Sequence, residues 1–415
     1  MERSYSSPRW SAEIPDCSVP MSLDTYSRCS YNCLYCFSNF QRAVGIAARN
    51  WGVFRSVNPA SVKALFAPGA VSQFTPYLNA RKVMQWGGLS DPFDEIDREE
   101  GVTLDLLRFF REIEYPITFS TKATWWTEDS RYTECFEGFP WFNVKFSIIG
   151  LDASLCAAVE RGVSAPAERL KAMGRAAKFV GGGVTLRLRP FIIGLSDKDD
   201  IQLIRRAADM GATAVSMEFM CLESRSPVAR KFFYPLMSKA CGFDVYEFYR
   251  QHSNGAGYMR LNRELKCPHV DRVQNECERL GLRFYVSDAD FKERCHNGSC
   301  CGLSEDWNYS RGQLCEGLQI ARRKGVLHWR DISPEIESFY SFLWKDTEGY
   351  NTISAERRAS QKGKTMADFL RYNWNHPNCG QSPNRLFRGT LVPLEELDEH
   401  GDVVYTLSQA LVNPS

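Results

Sequence analysis

Short apolar runs alternate with amphipathic segments between residues 19 and 221 of this 415-residue chain, and this alternation constrains the fold most. The apolar runs predict six β-strands: Val19–Leu23, Lys82–Gly87, Ile117–Ser120, Asn143–Ile149, Val184–Pro190 and Ala214–Met220. Helices are predicted between them, including Thr103–Ile113, Pro166–Val180 and Lys198–Met210, the last followed by the C-terminal glycine Gly211. Strands that alternate with helices predict repeated β–α units and a parallel sheet.

Three cysteines, Cys29, Cys33 and Cys36, follow the first predicted strand with the spacing C-x3-C-x2-C. Thiolates suit iron–sulfur clusters, and a loop this short can bring three sulfur atoms onto one small inorganic core. Three ligands hold a four-iron cluster and leave one iron open, as catalytic zinc sites keep an open position. The alternatives are a zinc site without its fourth ligand, or three unrelated core thiols. No nearby histidine or cysteine pair completes a zinc set, because Cys17 lies too far upstream.

Glycines and polar residues end the next three predicted strands. Gly87 and Gly88 would let the backbone approach a ligand closely, and Ser90-Asp91 offers a hydroxyl and a carboxylate to an ammonium group. The same residues are also ordinary turn formers. Lys122 follows the third strand and Ser147 lies on the fourth, so both belong to the edge that carries the cysteines.

The cysteine spacing resembles the signature of the radical S-adenosylmethionine (radical SAM) superfamily. Between roughly residues 21 and 221, a set of segments in the same order resembles the motifs of the spore photoproduct lyase family, radical SAM enzymes that act on thymine-derived DNA lesions: Ser90–Phe93, Ser120–Lys122, Ser147–Asp152, Val159–Leu170 and Arg189–Asp197.

This resemblance implies an α/β fold, a partial (β/α)6 TIM-like barrel with its chemistry on the loops that follow the strands. It implies a [4Fe–4S] cluster on the three cysteines, reduced by a flavodoxin or a ferredoxin, which cleaves S-adenosylmethionine to a 5′-deoxyadenosyl radical. It also implies that five residues contact S-adenosylmethionine: Tyr35, Ser90, Asp91, Lys122 and Ser147.

One departure from the family pattern affects the expected reaction. The lyases have a cysteine two residues before the Ser-Asp pair, which returns a hydrogen atom to the product radical, whereas this chain has Gly88 there. The resemblance therefore implies radical rearrangement or modification of a pyrimidine base more than dimer repair. Cys221, at the end of the sixth predicted strand, is a candidate hydrogen-atom donor.

The residues after 221 have a different composition, and we expect a cysteine-rich α+β domain at 222–335, which follows an N-terminal extension (1–20) and the barrel (21–221). Residues 336–415 are predicted to be a polar, loosely packed extension. A second iron–sulfur cluster or a zinc ion is predicted on Cys295, Cys300, Cys301 and Cys315, with Cys267-Pro-His269 as a further ligand source. Reduced structural thiols are the alternative.

The basic, aromatic segment from Arg225 to Tyr234 can contact phosphates and stack bases, or can form a helix with one buried face. The net charge of +1 gives no overall field toward nucleic acid, so any such contact has to be local. Residues 1–20 contain no signal-peptide core, and no apolar stretch is long enough to span a membrane. We therefore expect a cytoplasmic protein, in which fifteen cysteines indicate metal binding or catalysis more than disulfides.

Two other functions fit the sequence less well than a radical SAM enzyme that acts on a nucleic-acid pyrimidine. The first is a radical SAM maturase of a peptide or small metabolite that uses an auxiliary cluster in the C-terminal region. The second is a zinc-binding nucleic-acid module without catalytic activity, which the β–α periodicity argues against.

Overall fold

The computed structural model describes residues 1–11, 15–38, 53–253, 258–311, 314–343, 355–360 and 363–409, except the side chains of 315, 357, 358 and 360. Its strands are β1 Arg9–Trp10, β2 Met21–Leu23, β3 Met84–Trp86, β4 Ile117–Thr121, β5 Phe142–Ser147, β6 Val184–Phe191, β7 Ala214–Phe219, β8 Leu222–Glu223, β9 Tyr258–Met259, β10 Arg283–Val286, β11 Val326–Leu327, β12 Leu391–Leu397 and β13 Val403–Leu407.

The α-helices lie mainly between and after these strands. They are Pro59–Ala64, Thr75–Asn79, Asp97–Glu100, Val102–Glu112, Ser130–Thr133, Ala153–Val159, Pro166–Ala176, Asp200–Asp209, Tyr234–Cys241, Val245–His252, Arg263–Arg279, Leu314–Lys324, Ser333–Phe339, Ala355–Ser360, Met366–Trp374 and Pro383–Leu386. Short 3₁₀ turns cover Trp125–Glu128, Ser196–Lys198, Ala289–Arg294 and Trp329–Asp331, and a π-helical turn covers Ala229–Phe233. No helix of the described residues is long and apolar enough to cross a membrane.

The main sheet has eight strands in the order β1-β2-β3-β4-β5-β6-β7-β10. Strands β4 to β7 pair in parallel, with Ser120 opposite Lys145, Ser147 opposite Arg187, and Arg187 opposite Ser216. The structure therefore confirms a mixed α/β fold with a parallel sheet, and all six predicted strands exist within two residues of their predicted ends.

The two faces of β4–β7 differ in chemistry because successive side chains of a strand point to opposite faces. Phe119, Val144, Leu186 and Met217 lie on one face and are fully buried. The opposite face, which we call the polar face, carries almost only hydrogen-bonding and charged side chains: Thr118, Ser120, Asn143, Lys145, Ser147, Thr185, Arg187, Arg189, Ser216 and Glu218.

The predicted helices are present with shifted ends. The helix predicted over Lys198–Met210 begins at Asp200, because residues 196–198 form a 3₁₀ turn, and Gly211 follows it at φ +86°. The helix Arg263–Arg279 begins where the side chain of Asn262 caps it by accepting a hydrogen bond from the amide of Leu265 at 3.1 Å.

The described chain forms two compact units. The first comprises Met1–Ser7, Leu23–Ser61 and Trp86–Phe284, and the second comprises Pro8–Ser22, Val62–Gln85 and Tyr285–Ser415. The domain boundaries expected from composition remain a prediction. The strands β4–β7, the three clustered cysteines and the other residues predicted to bind S-adenosylmethionine all belong to the first unit.

The second unit has a small antiparallel sheet in the order β11-β13-β12. Trp374 is buried against Trp329 and Tyr405, with ring centroids 5.4 Å and 4.9 Å away, and its indole nitrogen donates a 2.7 Å hydrogen bond to the carbonyl of Val403. The prediction of a loosely packed C-terminal extension is therefore wrong for the described part of 366–407. Its surface is polar, but the buried indole of Trp374 packs at the centre of its core.

Candidate functional site

The cysteine loop, residues 29–36, follows β2 and is fixed by two other segments of the first unit. The amide and the hydroxyl of Ser30 donate to the buried carboxylate of Asp94, at 2.7 Å and 2.9 Å. Cys33 forms a β-bridge with Glu160, and the amide of Leu34 donates to the carbonyl of Val159 at 2.9 Å. The backbone of the loop is therefore held from two sides.

The loop that follows β3, residues 87–94, lies against the end of β4. Gly87 has φ +90°, and a Cβ there would lie 2.6 Å from the carbonyl oxygen of Ser120, so only glycine fits. Asp24 accepts hydrogen bonds from the amides of Leu89 and Ser90 at 2.7 Å and 3.0 Å. The hydroxyl of Ser90 donates to the carbonyl of Tyr26 at 2.7 Å, so this predicted cofactor ligand also supports its own loop.

Asp91 connects this loop to both the cysteine loop and β4. Its amide donates to Sγ of Cys29 at 3.0 Å. Its carboxylate accepts from the amide of Lys122 at 2.6 Å and from the hydroxyl of Thr121 at 2.9 Å. Burial raises the pKa of this carboxyl to about 6, although the hydrogen bonds from Lys122, Phe93 and Thr121 oppose the shift. The structure thus gives Asp91 a positioning role beside the first cysteine.

A buried ionic network joins the cysteine loop to the end of β5. The hydroxyl of Tyr35 donates a short hydrogen bond to Glu160, which forms an ion pair with Arg169. The side chains of Glu160 and Arg169 are each 1% exposed, and Arg169 also donates to the carbonyl of Ser147 at 2.7 Å. Residues predicted to bind the cofactor, Tyr35 and Ser147, are therefore linked through two charged residues.

Lys122 and Tyr35 converge on the second cysteine. The ammonium of Lys122 lies 5.7 Å from the centroid of the Tyr35 ring. Burial raises the pKa of Cys33 to about 12, while the positive charge of Lys122 opposes that shift. Burial also raises the pKa of Cys29 well above its ordinary value, and the charge of Asp91 adds to the shift.

Three thiols of one short loop are the donor set that a [4Fe–4S] cluster with one open iron requires. Burial is the main reason that the pKa values of Cys29 and Cys33 are raised, and the charge of Cys36 adds to both shifts. Cys36 therefore lies close to the other two cysteines. The donors therefore fit such a cluster. Within the described ranges, no three His, Cys, Asp or Glu side chains are gathered into a metal site.

Comparison with known proteins gives matches among solved structures only. Among the solved structures that this chain resembles are two methyltransferases described as radical SAM enzymes. A spore photoproduct lyase variant is 16% identical, with a TM-score of 0.49 over 68% of this chain and 79% of its own. SuiB of Streptococcus suis bound to S-adenosylmethionine is 15% identical, with a TM-score of 0.40 over 65% of this chain and 51% of its own.

A radical SAM methyltransferase from Sphaerobacter thermophilus is 14% identical, with a TM-score of 0.38 over 64% of this chain and 65% of its own. No protein-family model matches this sequence, and no curated protein matches it.

The remaining predicted residues of the first unit lie at the end of the sheet or beyond it. Ser147 is 2% exposed and its hydroxyl accepts a 3.2 Å hydrogen bond from Arg187. Cys221 lies two residues after β7. Burial raises the pKa of the nearby Tyr234, and the charge of Cys221 adds to that shift. Gly88 follows Gly87 and is half-buried. The role of Cys221 as a hydrogen-atom donor remains a prediction.

The tail cysteine segment, residues 295–301, lies in the second unit and is buried. Cys295, Cys300 and Cys301 are 3%, 6% and 6% exposed. Sγ of Cys295 donates to the carbonyl of Val286 at 3.2 Å, and burial raises the pKa of its thiol to about 12. The side chain of Cys315 lies outside the described residues. Neither this segment nor any other described part of the chain presents three gathered metal ligands.

The proposed ligand pair Cys267 and His269 has other contacts, all within the first unit. The thiol of Cys267 donates to Asp271 at 3.5 Å. The His269 ring lies against Phe191 and Phe219, with centroids 5.4 Å and 6.0 Å away. These contacts are those of residues that pack a helix onto the sheet.

Sequence reasoning assigned no role to four acidic or basic residues that position the site: Asp24, Asp94, Glu160 and Arg169. The sequence does contain one indication for Asp24, because this acidic residue directly follows a predicted strand. Glu160 and Arg169 lie in a segment that resembles the family motifs. Asp94 directly follows the segment Ser90–Phe93, and its role depends on a contact with Ser30 that local patterns do not encode.

Proposed function

We propose that this chain is a radical SAM enzyme that holds a [4Fe–4S] cluster on Cys29, Cys33 and Cys36 and modifies a pyrimidine base of DNA. One observation carries the proposal. The C-x3-C-x2-C loop lies at the carboxyl edge of a parallel sheet, next to the ends of β3 and β4, with the Asp91 amide on one cysteine sulfur and Lys122 beside another. In parallel sheets this edge is where ligands bind.

A cluster bound there would supply one electron, received from a flavodoxin or ferredoxin, for cleavage of S-adenosylmethionine into methionine and a 5′-deoxyadenosyl radical that takes a hydrogen atom from the substrate. The residues of the chain bind and orient S-adenosylmethionine. Lys122 would pair with the carboxylate of S-adenosylmethionine, and Ser147 would hydrogen-bond its ribose or carboxylate. Tyr35 would pack against the cofactor while its hydroxyl stays on Glu160.

The loop that follows β3 would shape the cofactor site through its backbone. The side chains of Ser90 and Asp91 are engaged with Tyr26, Thr121 and the amide of Lys122, so they fix the loop that meets the cofactor. Gly87 lets this loop pack closely against the end of β4, since a Cβ there would lie 2.6 Å from the carbonyl oxygen of Ser120. The sheet would curve into a partial (β/α)6 barrel around this site.

The substrate assignment rests on the motifs that resemble the spore photoproduct lyase family and on Gly88. Without a cysteine at that position, the substrate radical would rearrange, or take its hydrogen atom from another donor such as Cys221. The base would therefore leave as an isomerised or modified pyrimidine.

The second candidate function is maturation of a peptide or small metabolite, with an auxiliary iron–sulfur cluster in the tail cysteine segment. It is supported by the proximity of Cys300 to Cys295. Burial raises the pKa of Cys295, a backbone hydrogen bond with Val286 opposes that shift, and the charge of Cys300 adds to it. This function predicts about eight iron atoms per chain, whereas a single cluster predicts about four.

The deciding experiment is anaerobic reconstitution followed by mass spectrometry of 5′-deoxyadenosine. The reconstituted protein is incubated with S-adenosylmethionine, a reductant, and either DNA, free nucleosides or peptides. We expect DNA to stimulate 5′-deoxyadenosine formation and deuterium from labelled thymine to enter the product. Stimulation by peptides alone would establish the second candidate, and no 5′-deoxyadenosine with any substrate would refute both.

A further inference from the structure

The π-helical turn Ala229–Phe233 and the helix Tyr234–Cys241 have one buried face and one exposed face. Tyr234 and Met237 are fully or almost fully buried, and the hydroxyl of Tyr234 accepts a hydrogen bond from the amide of Glu223 at 2.8 Å. The buried face is the one that the sequence allows for a packed helix. The exposed face has a composition that packing does not explain.

This exposed face combines apolar and basic side chains. Phe232 is 54% exposed, and Leu236, one helical turn later, is 40% exposed. Arg230, Lys231 and Lys239 are also exposed, and the ammonium of Lys231 lies 5.2 Å from the centroid of the Phe232 ring. We call these residues the basic face. An exposed apolar side chain among polar ones is typical of an interaction site.

The positive charge of the basic face is not offset by neighbouring residues. Residues 225–241 contain four basic residues and no acidic one, although the net charge of the whole chain is only +1. Arg225 is paired with Glu223 at 2.9 Å. In contrast, the remaining three cations, Arg230, Lys231 and Lys239, form no ion pair with any residue that the structure describes. The basic face therefore attracts polyanions.

The basic face belongs to the same edge of the sheet as the cysteine loop. The helix Tyr234–Cys241 packs against the helix Ala153–Val159, which follows β5. It also meets the loop that follows β6, since a Cβ on Gly194 would stand 2.7 Å from the carbonyl oxygen of Cys241. The residue directly after Ala153–Val159 forms the β-bridge with Cys33. All of these residues belong to the first unit, so a polymer held on the basic face would pass near the proposed cofactor site.

We propose that the basic face binds an unpaired DNA strand, with phosphates on Arg230, Lys231 and Lys239 and one base stacked on Phe232. An aromatic ring among cations holds single strands in this way, because every base offers a flat surface and every nucleotide a phosphate. Duplex DNA has the same phosphates, but its bases are already stacked on each other. A purely acidic peptide would match the cations and leave the ring uncovered. The inference rests on the proposed function, because it names the part of the substrate that the chain holds outside the reacting base.

Fluorescence anisotropy tests the stacking contact. A labelled ten-nucleotide thymidine oligomer is titrated with the full-length reconstituted protein. Phe232→Leu keeps an apolar side chain and removes the ring, so we expect binding to weaken about 5- to 100-fold, as for the loss of one stacked base. Phe232→Trp keeps a ring and should retain the affinity, which separates stacking from misfolding. An abasic oligomer of the same length has phosphates without bases, so Phe232→Leu should leave its binding unchanged.

The salt dependence of the same titrations tests the phosphate contacts. Arg230→Gln and Lys231→Gln each remove one cation, so the slope of log affinity against log salt should fall by about 0.7 for each variant. The fall should be the same with the thymidine and the abasic oligomer. Arg230→Lys retains the charge and should retain the slope. Lys171→Gln is the matched control, since Lys171 is 64% exposed, pairs with Glu168 on another helix of the unit and should leave the slope unchanged.

Four results overturn the inference. The oligomer does not bind the unsubstituted protein; Phe232→Leu weakens both oligomers equally; the charge variants leave the slope unchanged; or a ten-residue glutamate peptide competes as well as the thymidine oligomer. Turnover separates the inference from the proposed function. DNA-dependent 5′-deoxyadenosine formation with the same KM for the oligomer in Phe232→Leu would contradict the inference alone. Oligomer binding that depends on the basic face, without any 5′-deoxyadenosine, would contradict the proposed function alone.

Discussion

The cysteine loop and the tail cysteine segment each hold three cysteines within eight residues, but the hydrogen bonds of their sulfur atoms differ. In the loop, Sγ of Cys29 accepts a hydrogen bond from the amide of Asp91, and the ammonium of Lys122 lies close enough to influence Cys33. In the tail, Sγ of Cys295 accepts a hydrogen bond from the amide of Val286 at 3.3 Å and donates one to the carbonyl of the same residue at 3.2 Å. Backbone amides and cations favour a thiolate, whereas a carbonyl acceptor requires the protonated thiol.

This difference shows that cysteine density alone does not identify a metal site. Cys29 and Cys36 are half-buried, while all three tail cysteines are buried, and Glu316 fills the space next to Gly298, 1.9 Å from where a Cβ would stand. The metal ligation of both segments remains a prediction.

The largest expected effect is loss of iron from the loop variants. Replacing Cys29, Cys33 or Cys36 with alanine removes one of only three cluster ligands, so iron should fall from about four atoms per chain to almost none, and 5′-deoxyadenosine formation should stop. Iron analysis of anaerobically reconstituted protein and mass spectrometry measure both. Cys156→Ala, which changes a buried cysteine of the same unit, is the control and should retain its iron. Full iron and turnover in any loop variant would contradict the assignment.

The sequence predicted the strands well, since periodicity is a local signal, and the metal role of the three cysteines remains a prediction. Periodicity places β4–β7, and the spacing of Cys29, Cys33 and Cys36 is a pattern of eight residues. The supports of the site are different, because Tyr35 and Glu160 are 125 residues apart. Contacts of that separation depend on how the chain folds back, which neither spacing nor composition encodes. The same holds for the carboxylate of Asp91, which points to Thr121 and the Lys122 amide.

The next largest effect concerns the ion pair behind the loop. Arg169→Met leaves the carboxylate of Glu160 buried without its cation, which should lower the free energy of unfolding by about 3–5 kcal/mol. Urea denaturation measures this loss. The double variant Glu160→Gln with Arg169→Met removes both charges and should recover part of the stability. A loss below about 1 kcal/mol in the single variant would show that the pair does not support the loop.

A smaller effect is expected in the tail. Cys295→Ala removes a buried sulfur and its hydrogen bond to Val286, which should lower the free energy of unfolding by about 2 kcal/mol and leave the iron content unchanged. Because burial raises the pKa of this thiol to about 12, alkylation at pH 8 should be slow in the folded protein and fast in urea. If Cys295→Ala instead removed about four iron atoms, the tail would hold an auxiliary cluster and the peptide-maturation function would be favoured.

The smallest expected effect is the difference in stability between two tyrosine-to-phenylalanine variants, one in the cysteine loop and one near the tail cysteine segment. Tyr35 donates to the carboxylate of Glu160, and Tyr285, just before the tail segment, donates to the carbonyl of Leu303 at 2.6 Å. A hydrogen bond to a charged acceptor contributes more than one to a neutral acceptor, so Tyr35→Phe should cost about 2 kcal/mol and Tyr285→Phe about 1 kcal/mol in urea denaturation. Equal losses would mean that Arg169 alone satisfies Glu160, and that the cysteine loop is held by its backbone bonds to Asp94 and Val159 more than by the Tyr35 hydroxyl.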